Sequence, residues 1–246
     1  MANSSLPHYN SVVMIKETAR DHGYEVVLGF PQLAQHSPDA LNELAYELNK
    51  TFSFKKTDYL DSHNEMILSS PASKGAEITK CGIFANRIEF TKGPIEQGSI
   101  QVFNESISTA IKVIVLKLRL PVFVQQNTVV VLANPPPKRD SREFLAFDVY
   151  RFRDDQLKKF GRNIHCTGLR WFFLASSEHP DDPEFDVRIE TLIRDVNMLY
   201  IENKSRFPNP INSTDVEQIT RNLNATREFV HTRVFEFLDQ FESGGA

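Results

Sequence analysis

Apolar positions along this 246-residue chain recur at two spacings, and the switches between them mark the expected elements. Residues 24–30 (YEVVLGF) form a short β-branched run closed by Pro31, which predicts a strand. A helix should follow. Ser37 can cap it, Pro38 suits the first helical position, and Asp39 favours the positive end of the helix dipole. Leu41, Leu44, Ala45, Leu48 and Phe52 then lie on one helical face. Residues 52–69 read as a strand region interrupted by the polar run 58–64, and residues 77–90 as a hairpin turning at Ala85-Asn86. Ile100, Phe103, Ile107, Ala110, Ile111, Ile114 and Leu118 predict a second helix over 97–120, which Pro121 ends. Residues 122–133 (VFVQQNTVVVLA) return to strand spacing.

The pattern then breaks at Pro135-Pro136-Pro137 and the charged run that follows. Beyond it, 144–152 (FLAFDVYRF) reads as a strand, and 154–160 as a short helix stopped by Gly161. Three strands are expected over 168–175, 185–194 and 198–207, the last two joined by a tight turn at Asp195-Val196-Asn197. Pro208 and Pro210 should end the last strand. Thr214 and Glu217 have capping-box spacing. Val216, Ile219, Leu223, Val230, Val234, Leu238 and Phe241 continue as one apolar face, giving a long C-terminal helix over 214–241.

The fold class expected from this order is α+β, with two tandem antiparallel-sheet modules, each covered by amphipathic helices. The first half has the β-α-β-β-α-β order of ferredoxin-like folds. The expected division is an N-terminal module over 1–134, a proline-rich charged connector over 135–143, and a C-terminal module over 144–246. In element order alone the chain resembles the tandem RNA-processing proteins of bacterial repeat-associated defence systems. Their glycine-rich loop near the C-terminus has no counterpart in Ser243-Gly244-Gly245-Ala246, and no family is assigned on this basis.

Composition adds little chemistry. Hydrophobic residues make up 41% and charged residues 24%, enough for a sizeable core. The net charge of -4 argues against broad nucleic-acid binding unless a basic patch is local. The N-terminus lacks a basic start and apolar run, and no stretch approaches the roughly 20 apolar residues of a membrane span. A cytoplasmic protein is therefore expected, with Cys81 and Cys166 as reduced, buried thiols. Glycine-rich phosphate loops, metalloprotease motifs and serine nucleophile elbows do not occur. His165 and Cys166 are neighbours, which on a strand would point apart. The loop EHPDDPEFD gathers His179, Asp181, Asp182 and Glu184 but matches no calcium loop, and reads as a solvated hairpin loop. No catalytic residue, cofactor or metal is expected.

Two surfaces stand out. Alternation over 185–194 puts Val187, Ile189, Thr191 and Ile193 on one side and Asp186, Arg188, Glu190 and Arg194 on the other. With Arg170 and Tyr200 from neighbouring strands, this gives a candidate interface of Arg170, Arg188, Glu190, Arg194 and Tyr200. The bland alternative is a hydrated face of cross-strand ion pairs. The second surface is basic and aromatic. Lys138, Arg139, Arg142, Arg151 and Arg153 are interleaved with Phe144, Phe147, Tyr150 and Phe152, which would suit a polyanion. The favoured expectation is a non-enzymatic intracellular protein working through protein contacts, either with a second copy of itself or with a partner protein. Nucleic-acid or polyanion binding is the alternative.

Overall fold

In the computed structural model, residues 14–30, 36–60, 65–71, 77–95, 99–137, 139–175 and 177–241 are described. The first part of the chain carries a one-turn α1 (Ile15–Thr18), β1 (Arg20–Gly29), α2 (Pro38–Phe52), β2 (Lys56–Leu60), β3 (Glu65–Ser69), β4 (Lys80–Ile83), β5 (Arg87–Lys92), α3 (Ile100–Leu118) and β6 (Val122–Ala133). The second carries α4 (Ser141–Glu143), α5 (Asp154–Lys158), β7 (Gly168–Phe173), β8 (Glu184–Thr191), β9 (Leu199–Asn212), α6 (Val216–Phe229) and α7 (Phe235–Asp239). The chain is α+β, as expected.

Among the described residues the strands form one antiparallel sheet of nine, in the order β2-β3-β4-β5-β1-β6-β9-β8-β7. This replaces the two separate sheets expected from the sequence. The join is the pairing of β6 with β9, running from Val122↔Asn212 to Ala133↔Leu199. Four strands lie between α2 and α3, where the β-α-β-β-α-β order has two.

Local rules account for most helix boundaries. The Ser37 hydroxyl accepts the Ala40 amide at 3.2 Å and starts α2. The Ser99 hydroxyl accepts the Val102 amide at 3.3 Å, so α3 begins at Ile100 and not at 97. At α6 the cap is Asp215, which accepts from the Gln218 amide at 3.1 Å, while the Thr214 hydroxyl turns back to Asn212. The C-terminal helix passes through a π-helical turn, Val230–Val234, and continues as α7. Among the described residues no helix is long and apolar enough to cross a membrane.

Four expectations change in the second half. Residues 144–152 are not a strand: α4 runs into a π-helical turn, Phe144–Val149. Phe144, Leu145 and Ala146 are buried in succession as this turn packs into the core. Pro208 and Pro210 do not end β9. The register shifts between Phe123↔Ile211 and Gln125↔Phe207, so a bulge absorbs both prolines where β8, which pairs only as far as Arg206, no longer needs amide donors. Strand β8 stops at Thr191, leaving Arg194 and the 63%-exposed Ile193 in the turn to β9. Cys81 is buried as expected, whereas Cys166 is exposed.

The core lies between the helices and one face of the sheet. Helix α2 touches α3, α3 touches α6, and α6 lies on β6 and β9. Val26, Leu28, Phe90, Phe103, Ile111, Phe123, Val131 and Leu223 are fully enclosed there. The opposite face carries side chains that are partly or fully exposed along β6, β8 and β9.

Candidate interaction surface

The open face of β7, β8 and β9 gathers four of the five expected interface residues. Arg170 donates to both oxygens of Asp186, at 2.9 and 2.7 Å. Its guanidinium also lies 4.7 Å from the centre of the Phe172 ring. Glu202 accepts from the Tyr200 hydroxyl at 2.8 Å and from Arg188 at 3.3 Å. Arg188 also sits 3.8 Å from Glu190. Burial, and then the bond to Glu202, pushes the Tyr200 hydroxyl up to about 12. The Arg170 bond holds the Asp186 carboxyl below its usual range. Arg194 is not part of this group; it sits in the exposed turn. Each exposed pair contributes under about 1 kcal/mol, and the charges of this face largely satisfy one another.

The end of the sheet is different. Strand β7 is the last in the order, and its sequence GLRWFF has neither proline nor lysine to guard an edge. The Thr191 amide donates to the Thr167 carbonyl, and Gly168 faces Glu190. By antiparallel alternation, residues 169, 171 and 173 turn their backbone groups to β8, and residues 168, 170 and 172 turn theirs outward. The Tyr150 hydroxyl takes the Gly168 carbonyl at 2.5 Å. Phe172 and the following Leu174 are 62% and 72% exposed.

Below this edge, on the helix side, lies an aromatic groove of about 550 Å³ lined by Trp171, Phe173, Phe229, Arg233, Val234 and Phe237. The Trp171 ring meets Phe237 edge-on at 4.8 Å, and Phe173 meets Phe229 at 5.4 Å. Helix α6 lies over β6 and β9, and Phe229 of α6 and Phe237 of α7 meet the side chains of β7. Alternation along the sequence puts Arg170 on a sheet face but carries no sign that its strand is an edge.

Three of the expected polyanion residues are paired with aspartates among the described residues. Arg139 lies 3.4 Å from Asp148, Arg142 donates to Asp140 at 2.5 Å, and Arg153 lies 3.2 Å from Asp155. Arg151 is exposed with a left-handed backbone, φ 57. Lys138 lies outside the described residues. Tyr150 and Phe152 stack on each other at 5.2 Å.

Two polar clusters were not anticipated. Asp21 accepts from the Tyr24 hydroxyl at 2.5 Å, Arg227 at 2.7 Å and His231 at 2.8 Å. Burial raises the Asp21 carboxyl, but the bonds from His231, Tyr24 and Arg227 outweigh it and hold the pKa at about 2. Both carboxylate oxygens are engaged, so the cluster reads as a clamp between β1 and the C-terminal helix. The second cluster is buried under α6. Gln125 donates to Asn127 and to the Ile219 carbonyl, and Asn222 donates to Gln125. Thr226 takes Asn127 and Ser205 on its hydroxyl and Asn203 on its carbonyl. Polar residues at inward positions of two adjacent strands and one helix face were the available signal.

Among the described residues no group of three or more His, Cys, Asp or Glu is placed to hold a metal ion. No protein-family model matches the chain, and no curated protein matches it.

Proposed function

We propose that this is a non-enzymatic protein that works through protein contacts, with β7 and its aromatic groove as the contact site. The observation that carries this reading is the edge itself. An apolar edge strand with outward-turned backbone groups, set beside exposed aromatic rings, invites strand addition by another chain. The charged face of β8 and β9 supplies a polar rim, since its ions are already paired.

The test is the size of the protein as it occurs in its own cells. Gentle lysis followed by sedimentation should place the full chain in a species clearly heavier than its 28.2 kDa. Phe172→Pro removes an outward amide while leaving the β7–β8 ladder intact, and should release the chain to its monomer mass. A wild-type chain that sediments at 28.2 kDa would contradict the proposal.

A further inference from the structure

We infer that the occupant of this edge is a second copy of the same chain, joined β7 to β7 so that two nine-stranded sheets become one. The inference rests on the contact reading above and names its partner.

Symmetry and charge together select the register. A two-fold axis perpendicular to the sheet keeps the helices of both copies on the same side. It pairs residue i with residue j of the partner copy only where both face the same way, and bonds form only between outward-turned residues. Arg170 and Phe172 are the outward-turned residues at the centre of β7. Two registers overlap the strand almost fully. Centring on Arg170 sets two guanidinium groups directly opposite each other, which is unfavourable. Centring on Trp171 sets Arg170 opposite Phe172 of the other copy, twice. An arginine facing an aromatic ring is attractive, and Arg170 already lies 4.7 Å from the Phe172 ring within one chain.

The same register satisfies the groove. Trp171 meets its symmetry mate at a closely spaced, non-hydrogen-bonded position on the helix side. Leu169 comes opposite Phe173, next to the rings of Phe229 and Phe237 that already pack on this strand. The exposed aromatic surface of each copy covers that of the other. Tyr150 holds the Gly168 carbonyl, so the central bonds run between residues 170 and 172. A contact this short should associate in a concentration-dependent way.

The experiment uses the purified full chain in light scattering at about 50 μM, a concentration chosen for weak contacts. The expected mass is twice 28.2 kDa. Phe172→Lys leaves a good monomer, because position 172 faces Asp186 of β8, but it sets a lysine against Arg170 of the other copy. It should give 28.2 kDa. Adding Arg170→Glu places a carboxylate opposite Arg188 within the chain and opposite the new lysine across the dimer, and should restore the doubled mass. A monomeric wild type overturns this inference; the contact proposal then still stands or falls on the native mass. A dimer that survives Phe172→Lys, or a double variant that stays monomeric while folded by circular dichroism, overturns the β7 register.

Discussion

His231 Nε2 lies 2.8 Å from Asp21 Oδ1, tying the π-helical turn of the C-terminal helix to the first strand across 210 positions of sequence. The same carboxylate accepts from Arg227 one turn earlier on that helix and from Tyr24 on its own strand. This cluster fastens β1 to the C-terminal helix, whose aromatic residues floor the β7 groove.

Removing the carboxylate should therefore cost stability. Asp21→Ala leaves Arg227 and the Tyr24 hydroxyl without their acceptor, and the loss should be about 3 kcal/mol. Urea denaturation followed by circular dichroism measures it. A loss under about 0.5 kcal/mol, the range of ordinary surface substitutions, would show that the clamp does not hold the helix.

The clamp also gives a pH signature. The Asp21 pKa lies at about 2 when folded and at its ordinary 3.8 when unfolded. A depressed carboxylate stabilises the fold above pH 3.8 and loses that contribution as the pH falls through about 2. The contribution is about 2 kcal/mol. Asp21→Asn should flatten the stability curve across this window, and an unchanged curve would contradict the assignment.

The buried polar cluster should respond to a single methyl-for-hydroxyl exchange. Thr226→Val keeps shape but removes the partner of Asn127 and of Ser205. The expected cost is about 2 kcal/mol, from buried groups left without bonds. If Tm is unchanged, the network does not set the position of α6.

Polyanion binding by the connector region should be weak. Arg139, Arg142 and Arg153 each have an aspartate partner, and the chain carries a net charge of -4. Elution from heparin is expected below about 100 mM salt, unchanged by Arg151→Ala with Arg153→Ala. Retention beyond about 200 mM that those substitutions abolish would restore the polyanion reading.

Elements with local signals were legible in the sequence. The Ser37 cap and the stripe from Leu41 to Leu48 announced α2, and the Val122–Ala133 run announced β6. What failed was non-local. Pairing of Val129 with Asn203 joins the two halves into one sheet, and nothing near either residue signals it. The run from Phe144 to Val149 has strand-like composition, yet it packs into the core as a π-helical turn. The edge character of Trp171 and Phe172 depends on strand order, so periodicity could place them on a strand but not at its end. Asp21 and His231 are each unremarkable in sequence, and only the fold brings them together.

The most direct measurement is amide hydrogen exchange along β7 at two concentrations of the purified chain, about 1 and 50 μM, spanning the range of weak contacts. Amides 169, 171 and 173 should be protected at both, because they face β8. Those of Arg170 and Phe172 should exchange freely in the dilute sample and become protected in the concentrated one. Free exchange of both amides in the concentrated sample as well would contradict the account.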